Sequence, residues 1–246
     1  MTQSPRGPMM LWSPPRCRST AFLRMMSARG DVEVVHEPFS HVTDFGSADV
    51  DGVHCTDEKA VIAALRKLSA RTGVFVKDTT DFHYPGLLAD TDFLRNTIHS
   101  VIIRHPREAI ASHHRLNPAL TCEEIGFERV REIYQAAADT GAEPIVVDSD
   151  DLVDRPEATV RAFCDAVGIE FVADALTWAP EQLPAWQRAA RWHTEVAQST
   201  GFHRAGGAQQ VDGVDVEDHP TLGPFYRHQL PHYEFLRQQK IPVPRG

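Results

Sequence analysis

Residues 9–20 read MMLWSPPRCRST, an apolar run followed by a short loop and a pair of hydroxyl residues. Met9–Ser13 is predicted to form a buried strand of a parallel sheet, because such strands are apolar on both faces. Ser19 or Thr20 is a typical residue for the N-terminus of the helix that follows. A second strand is predicted at 32–35 (VEVV). This strand–loop–helix–strand unit predicts the start of a doubly wound α/β fold.

The alternation of strands and helices continues along the chain. Further strands are predicted at 74–76, 98–103 and 145–147, and helices at 57–71, 108–116, 122–140, 151–167 and 233–239. Together they predict a three-layer α/β/α architecture with a central, mostly parallel sheet of about five strands. Residues 42–55 are predicted to be a loop, and residues 201–217, rich in Gly and Asp, a mobile one. Residues 1–8 are expected to be a disordered lead to one domain, 9–246, with a helical lid from about 172 to 246.

Composition narrows the class of function. The chain has 246 residues and a formal net charge of −9, which disfavours nucleic acid as a partner. The four cysteines form no CxxC pair and no HExxH motif occurs, so we expect neither a disulfide framework nor a metal site. No apolar run approaches the length of a membrane span or of a signal-peptide core. These features predict a cytoplasmic protein without a membrane partner, and they leave a homo-oligomer open.

Two segments have the residue types that bind anions. Arg16, Arg18, Ser19 and Thr20 crowd the loop after the first strand, where a helix N-terminus and two guanidinium groups can bind phosphate or sulfate oxygens. Residues 103–112 read IRHPREAIAS, so that an arginine leaves the clearest strand of the chain and a serine follows two helical turns later. No GxxxxGK[ST] motif occurs, which disfavours a nucleotide-hydrolysing enzyme that uses the standard lysine.

Both segments resemble motifs of the PAPS-dependent sulfotransferases, where PAPS is 3′-phosphoadenosine-5′-phosphosulfate. Residues 15–20 are similar to the 5′-phosphosulfate loop P-[RK]-S-G-[ST]-[ST], and residues 104–112 to the 3′-phosphate motif R-[ND]-P-R-[DE]-x-x-x-S. The resemblance implies a P-loop-like fold and PAPS as donor, with PAP as product. The implied donor-binding residues are Arg16, Cys17, Arg18, Ser19, Thr20, Arg104 and Ser112, with Arg204 as a further phosphate contact. Three positions depart from the motifs: Cys17 replaces serine, Arg18 replaces glycine, and His105 replaces Asn or Asp.

The resemblance also suggests catalytic residues, with Arg16 neutralising the charge of the sulfonate and the bridging oxygen. Glu37, at the end of the second strand, corresponds to a glutamate that is the proposed base in some bacterial and carbohydrate-type members. His36 is an alternative base, although adjacent strand residues point to opposite faces. Lys77 could steady the sulfonate or form a salt bridge. Thr79 stands where other members carry a base histidine, which favours Glu37.

The resulting interpretation is an enzyme that moves a sulfonate from PAPS to a hydroxyl of a small soluble metabolite, as in secondary metabolism. Two alternatives stay open. One is a kinase-like phosphoryl-transfer enzyme on the same fold. The other is a binding protein of sulfotransferase shape without turnover, which the arginine at position 18 makes credible.

Overall fold

The computed structural model describes residues 7–181, 186, 192, 194–203 and 209–244. Its centre is a five-stranded parallel sheet in the order β2-β5-β1-β6-β7. These strands are β1 (Met9–Ser13), β2 (Glu33–His36), β5 (Val74–Thr79), β6 (Ile98–Ile103) and β7 (Ile145–Asp148). The predicted strands are therefore confirmed. The central strand, β1, carries the loop with the two arginines, which places that loop in the middle of one sheet edge.

Helices and two short hairpins complete the chain. The helices are α1 (Ser19–Arg29), α2 (Pro38–Phe45), α3 (Glu58–Ser69), α4 (Pro85–Ala89), α5 (Thr91–Asn96), α6 (Pro106–His114), α7 (Phe127–Asp139), α8 (Ser149–Asp154), α9 (Pro156–Val167), α10 (Thr194–Ala197) and α11 (Leu222–Gln238). The hairpin strands are β3 (Ala48–Val50), β4 (Val53–Cys55), β8 (Gln210–Val211) and β9 (Val214–Asp215). Single 3₁₀ turns lie at Glu123–Ile125 and Ala173–Leu176.

The sheet separates two hydrophobic clusters, as a three-layer architecture requires. Met9 and Leu11 of β1 pack with side chains of α1, α8 and α9. Met10 and Trp12 belong to the cluster that includes α3, α5, α6, α7 and α11. Because successive strand residues point to opposite faces, the continuous apolar run of β1 supplies both clusters. The predicted α/β/α fold with a parallel sheet is confirmed.

Several boundaries differ from the sequence prediction. The predicted loop 42–55 contains the end of α2 and the β3–β4 hairpin. The single helix predicted at 122–140 is broken at Gly126, whose φ is 84° and where a Cβ atom would lie 2.7 Å from the Thr80 carbonyl oxygen. The helix predicted at 151–167 is interrupted before Pro156, because the residue before a proline is disfavoured in helical conformation.

The ends of the chain also differ. The final helix begins at Leu222, well before the predicted start at residue 233, and it continues through Pro231. The predicted loop 201–217 contains the β8–β9 hairpin, and its residues 204–208 lie outside the described part. Residues 1–6 of the expected lead are also outside it. Pro8 is buried, and its carbonyl accepts a hydrogen bond from the Ile98 amide at 3.1 Å, so this residue is part of the fold.

Candidate active site

The loop between β1 and α1 contains two arginines in left-handed backbone conformation. Arg16 has φ 67° and Arg18, the residue that caps α1, has φ 68°. Glycine adopts such angles without strain, whereas a side chain is disfavoured there. Arg18 is held in place by its guanidinium, which donates to Ser149 Oγ at 2.9 Å and to Asp150 Oδ1 at 3.1 Å. The arginine therefore reproduces the backbone turn that the motif's glycine would make.

The side chain of Cys17 points away from this loop's outer surface. It is fully buried in the larger hydrophobic cluster, and burial raises the pKa of its thiol to about 12. Its neighbours Arg16, Arg18, Ser19 and Thr20 all line a cavity at the carboxyl edge of the sheet, and Cys17 does not. The buried thiol is therefore turned away from the described lining of the cavity, and the expected role of Cys17 in donor binding would fall to its backbone amide.

The second arginine turn follows β6. Arg104 is buried, and its Nε and Nη2 donate to Glu108 Oε2 at 2.9 and 2.7 Å. His105 is the cap of α6, and its Nδ1 accepts from the Arg107 amide at 3.3 Å. An Asn or Asp side chain makes the same bond at a helix N-terminus. This explains how a histidine substitutes for Asn or Asp in the motif.

The two arginine turns meet. Strands β1 and β6 are adjacent in the sheet, and Arg16 Nε donates to Ser112 Oγ of α6 at 3.1 Å. Arg104 Nη1 in turn donates to the carbonyl oxygen of Arg16 at 3.3 Å. Both turns line the same cavity of about 530 Å³. The side chains predicted to hold opposite ends of one ligand are thus brought together.

Carboxylates balance the positive charge of the two turns. Glu108 Oε2 lies between the guanidinium of Arg104 and that of Arg18, which is 3.8 Å away. Burial opposes ionisation of Glu108, but the hydrogen bond and charge of Arg104, with the charge of Arg18, outweigh burial and lower the pKa of this carboxyl. Glu108 is therefore ionised at neutral pH and occupies the donors that an anionic ligand would use.

Glu37 and Lys77 form a buried ion pair at the edge of the cavity. Glu37 caps α2 with φ 50°, and its amide donates to the Lys77 carbonyl oxygen at 2.7 Å. The second carboxylate oxygen of Glu37 is 4.0 Å from His41 Nε2, and His41 also lines the cavity. Glu37 and Lys77 both belong to the residues that line the cavity. This is the region where the sequence predicted the proton acceptor.

His36 does not reach this cavity. Its side chain is 2% exposed, and its ring packs against His41 and Trp186 at centroid distances of 5.8 and 6.4 Å. His36 Nδ1 is 3.6 Å from Glu37 Oε2. His36 is therefore absent from the described lining of the cavity, unlike its neighbour Glu37, and its role as an alternative base stays a prediction.

Two aspartates that the sequence analysis did not single out lie near this ion pair. Asp78 is buried and accepts hydrogen bonds from the amides of Phe39 and Ser40, which fixes the start of α2 against the end of β5. Asp81 lines the cavity, and burial, with the charge of Glu37, raises its pKa to about 6. The polar run KDTTD directly after an apolar strand was the available sequence signal.

The C-terminal region closes one side of the cavity. Trp192, Val196 and Phe202 line it, and the Trp192 carbonyl accepts from Arg16 Nη1 at 2.9 Å. Arg204, predicted as a further phosphate contact, lies outside the described residues. No helix in the described part of the chain is long and apolar enough to cross a membrane.

A parallel sheet with two cationic turns on one cavity at its carboxyl edge has the geometry of an α/β protein that binds a polyanion. Residues 8–233 match the family model of the sulfotransferase domain, and the chain belongs to that family.

Two curated relatives were found in Arabidopsis thaliana. Branched-chain-amino-acid aminotransferase-like protein 1 is 30% identical over 202 residues, which are 78% of this chain and 36% of that protein. Branched-chain-amino-acid aminotransferase-like protein 2 is 29% identical over 203 residues, 78% of this chain and 35% of that protein. The chain thus spans about a third of the length of the curated relatives it matches.

Solved sulfotransferases were also found by structure comparison. STF9 from Mycobacterium avium aligns at 11% identity with a TM-score of 0.48, over 98% of this chain and 79% of that chain. Mouse SULT7A1, solved in complex with PAP, aligns at 11% identity with a TM-score of 0.43, over 94% of this chain and 82% of that chain.

Proposed function

We propose that this protein transfers a sulfonate from PAPS to a hydroxyl of a small soluble acceptor and releases PAP. One observation supports the proposal above all. The two arginine turns that resemble the 5′-phosphosulfate and 3′-phosphate motifs adjoin, with Arg16 Nε 3.1 Å from Ser112 Oγ. Both phosphates of PAP are attached to one ribose, so the groups that bind them must be close neighbours. The residues present fit such a ligand.

The donor would be held by residues from both turns. Arg16, Arg18 and the N-terminus of α1 at Ser19 and Thr20 would bind the 5′-phosphosulfate. Arg104 and Ser112 would bind the 3′-phosphate. A phosphate group competes with Glu108 for the Arg104 guanidinium, because Glu108 now accepts two of its hydrogen bonds. Binding of the donor should therefore release Glu108 from Arg104, while Arg18 stays within reach of it.

The chemistry requires a proton acceptor and a stabilised leaving group. The acceptor oxygen attacks sulfur, the bond from sulfur to the bridging oxygen breaks, and the hydroxyl proton moves to the carboxylate of Glu37. The Lys77 ammonium, paired with Glu37 before the reaction, becomes available for the bridging oxygen as Glu37 is neutralised. Arg16 stabilises the same developing charge.

Asp81 is a second candidate for the proton acceptor. It lines the same cavity, and its pKa of about 6 is closer to neutral pH than that of an ordinary aspartate. Glu37 differs from Asp81 in being paired directly with the Lys77 ammonium. Transfer rates of Glu37→Gln and Asp81→Asn distinguish the two, because only loss of the proton acceptor should lower the rate while PAP affinity stays unchanged.

The word aminotransferase in the names of the curated relatives does not alter this proposal. The chain covers about a third of those proteins, whereas the sulfotransferase domain covers residues 8–233 of this chain. Both matches extend over most of the chain, so they overlap. We assign the shared segment to sulfonate transfer.

Calorimetry and radiolabel transfer test the proposal together. The purified chain is titrated with PAP and, separately, with ATP and Mg²⁺. We expect saturable binding of PAP and no binding of ATP. Radiolabelled PAPS is then incubated with a pool of small hydroxyl compounds, and label is expected on an acceptor. Binding of ATP with Mg²⁺ but not of PAP would support the kinase-like alternative. PAP binding without transfer to any pool would support the binding protein without turnover.

A further inference from the structure

Three metal-ligating side chains converge on a surface that is separate from the cavity. His228 and His232 lie one turn apart on α11, and Glu128 lies in the first turn of α7. Their ligand atoms all fall within 4.8 Å of one another, and none of the three residues lines the cavity. His228 Nε2 is 3.1 Å from Glu128 Oε2, and the two imidazole rings are 5.7 Å apart. The spacing is that of His-x₃-His on one helical face.

A buried glutamine fixes the two helices in this register. Gln229, which is 1% exposed, accepts from the Glu128 amide at 3.1 Å through Oε1. Its Nε2 donates to the Cys122 carbonyl at 2.8 Å. The first bond holds the start of α7 against α11 next to His228, and the second holds the residue that precedes the 3₁₀ turn leading into α7. The cluster is thus positioned by the fold and does not depend on the chance meeting of long surface side chains.

The donor atoms are also available to an ion. The side chains of His228 and Glu128 are 50% and 45% exposed, which leaves an entry path from solvent. The Nδ1 atom of His232 is buried, and the described part of the chain provides no hydrogen-bond partner for it. A buried imidazole nitrogen without a partner is uncommon, because desolvation without a hydrogen bond costs free energy.

We propose that Glu128, His228 and His232 bind a divalent transition-metal ion, with Zn²⁺ as the preferred ion. Two imidazoles and one carboxylate are a familiar donor set for Zn²⁺, and water completes the tetrahedron. Mg²⁺ and Ca²⁺ prefer oxygen ligands, so the two histidines select against them. This proposal departs from the expectation of no metal site, and the sequence signal for it is the spacing of the two histidines in the HQLPH segment of α11.

The ion would clamp α11 to α7 and thereby support the second arginine turn. Tyr226 and Tyr233 of α11 contact the His105 ring, with centroid distances of 6.1 and 5.3 Å. His105 caps α6 beside Arg104. A metal that fixes α11 therefore stiffens the packing behind the turn without touching the cavity.

A second cluster of suitable residues competes with this assignment. His36, Glu37 and His41 also offer donors within 4.8 Å of one another. Glu37 is already paired with the buried Lys77 ammonium, and a divalent cation there would lie beside a positive charge. In the α7–α11 cluster the carboxylate of Glu128 is instead paired with His228, itself a proposed ligand, and the charges of Arg129 and Arg131 act on the cluster without a salt bridge to Glu128 among the described residues. We therefore prefer this cluster as the metal site.

Metal titration of the full chain tests the proposal. Zn²⁺ is titrated by calorimetry and Co²⁺ by visible absorption, which reports tetrahedral coordination, into the parent protein and into His228→Gln, His232→Gln and Glu128→Gln. We expect the parent to bind one ion per chain and each variant to bind the ion at least about 10–100-fold more weakly. Loss of a residue that only hydrogen-bonds a metal ligand already lowers metal affinity by that factor. His54→Gln is the matched control, because His54 is an exposed histidine 3.6 Å from an aspartate, Asp49, outside both clusters.

The outcomes separate the possibilities. A Zn²⁺-induced rise in melting temperature in the parent and His54→Gln, but not in His228→Gln, supports the clamp. Parent protein that binds neither ion overturns the proposal, as does unchanged affinity in His228→Gln and His232→Gln. His41→Gln is titrated in the same way, and loss of binding in this variant alone would place the ion at the His36, Glu37 and His41 cluster and equally overturn the proposal. Since His228 is half exposed, its variant should remain folded even if His232→Gln does not.

Discussion

Replacement of Arg104 by alanine should selectively weaken binding of PAP. The guanidinium leaves the carboxyl end of β6, is buried, and now makes three hydrogen bonds, two to Glu108 and one to the carbonyl of Arg16. A 3′-phosphate at this position would take over donors that Glu108 occupies. Removal of the side chain therefore removes a charged hydrogen bond from the bound state.

The expected size of the effect follows from these contacts. A hydrogen bond to a charged group contributes about 1.5–3 kcal/mol, and each 1.4 kcal/mol changes affinity tenfold. PAP affinity should thus fall by about 10–150-fold in Arg104→Ala. The fold should survive, since the Arg18 guanidinium lies 3.8 Å from Glu108 and still balances its charge.

Calorimetry with PAP measures the effect, and Arg107→Ala is the matched control. Arg107 is three residues further along the chain, but it pairs with Asp215 and Glu217 and does not line the cavity. Its removal should leave PAP affinity within about twofold. Unchanged affinity in Arg104→Ala, or equal losses in both variants, would refute the assignment of the second turn to the 3′-phosphate.

Three further predictions concern the residues around the cavity. Glu37→Gln should lower the rate of sulfonate transfer by about 10²–10⁴-fold with PAP affinity retained, as measured with radiolabelled PAPS, and an unchanged rate would remove Glu37 as proton acceptor. Arg18→Gly should be about 1–2 kcal/mol more stable to urea than Arg18→Ala, because the φ of 68° penalises any Cβ; equal stabilities would contradict this. The pKa of Asp81, raised to about 6, lies above that of the unfolded chain, so its ionisation destabilises the fold as pH rises from about 4 to 6. Relative to the parent, Asp81→Asn should therefore gain stability over that range in urea unfolding, and a constant difference would disprove it.

The sheet could be predicted from the sequence because its strands are apolar on both faces. β1, β5, β6 and β7 are each flanked by turn residues, and Gly168 and Pro106 mark helix ends in a way that requires no tertiary information. The β3–β4 hairpin was missed because its strands have three residues each, too few for an alternating pattern to be recognised. Gly126 was missed as a helix break because the cause is the close approach of Thr80, which lies 46 residues earlier.

The site residues could be predicted where a motif defines both a residue and its neighbours in sequence. Side-chain directions and ion-pair partners that depend on tertiary packing could not. Arg16, Arg104 and Ser112 come together because parallel strands bring their carboxyl ends to one edge. Cys17 is buried between two residues with positive φ, Arg16 and Arg18, and the residue types alone predict neither the burial nor these angles. Glu108 matched a motif position, but its role as counter-ion to two arginines appears only in three dimensions.

Arg16 is attached to the second turn both by its side chain, through Ser112, and by its carbonyl, through Arg104. Under the proposed function, a 5′-phosphosulfate at Arg16 and a 3′-phosphate at Ser112 would each compete with the hydrogen bond between these two residues, so binding at one half of the cavity would alter binding at the other. A nucleotide with a single phosphate would then break the same hydrogen bond as one with two, yet gain only part of the new contacts. The gain in affinity from carrying both phosphates should then exceed the sum of the gains from the 5′-phosphate alone and the 3′-phosphate alone. The reason is that the Arg16 guanidinium contacts both halves of the cavity, so its contact with Ser112 is broken only once.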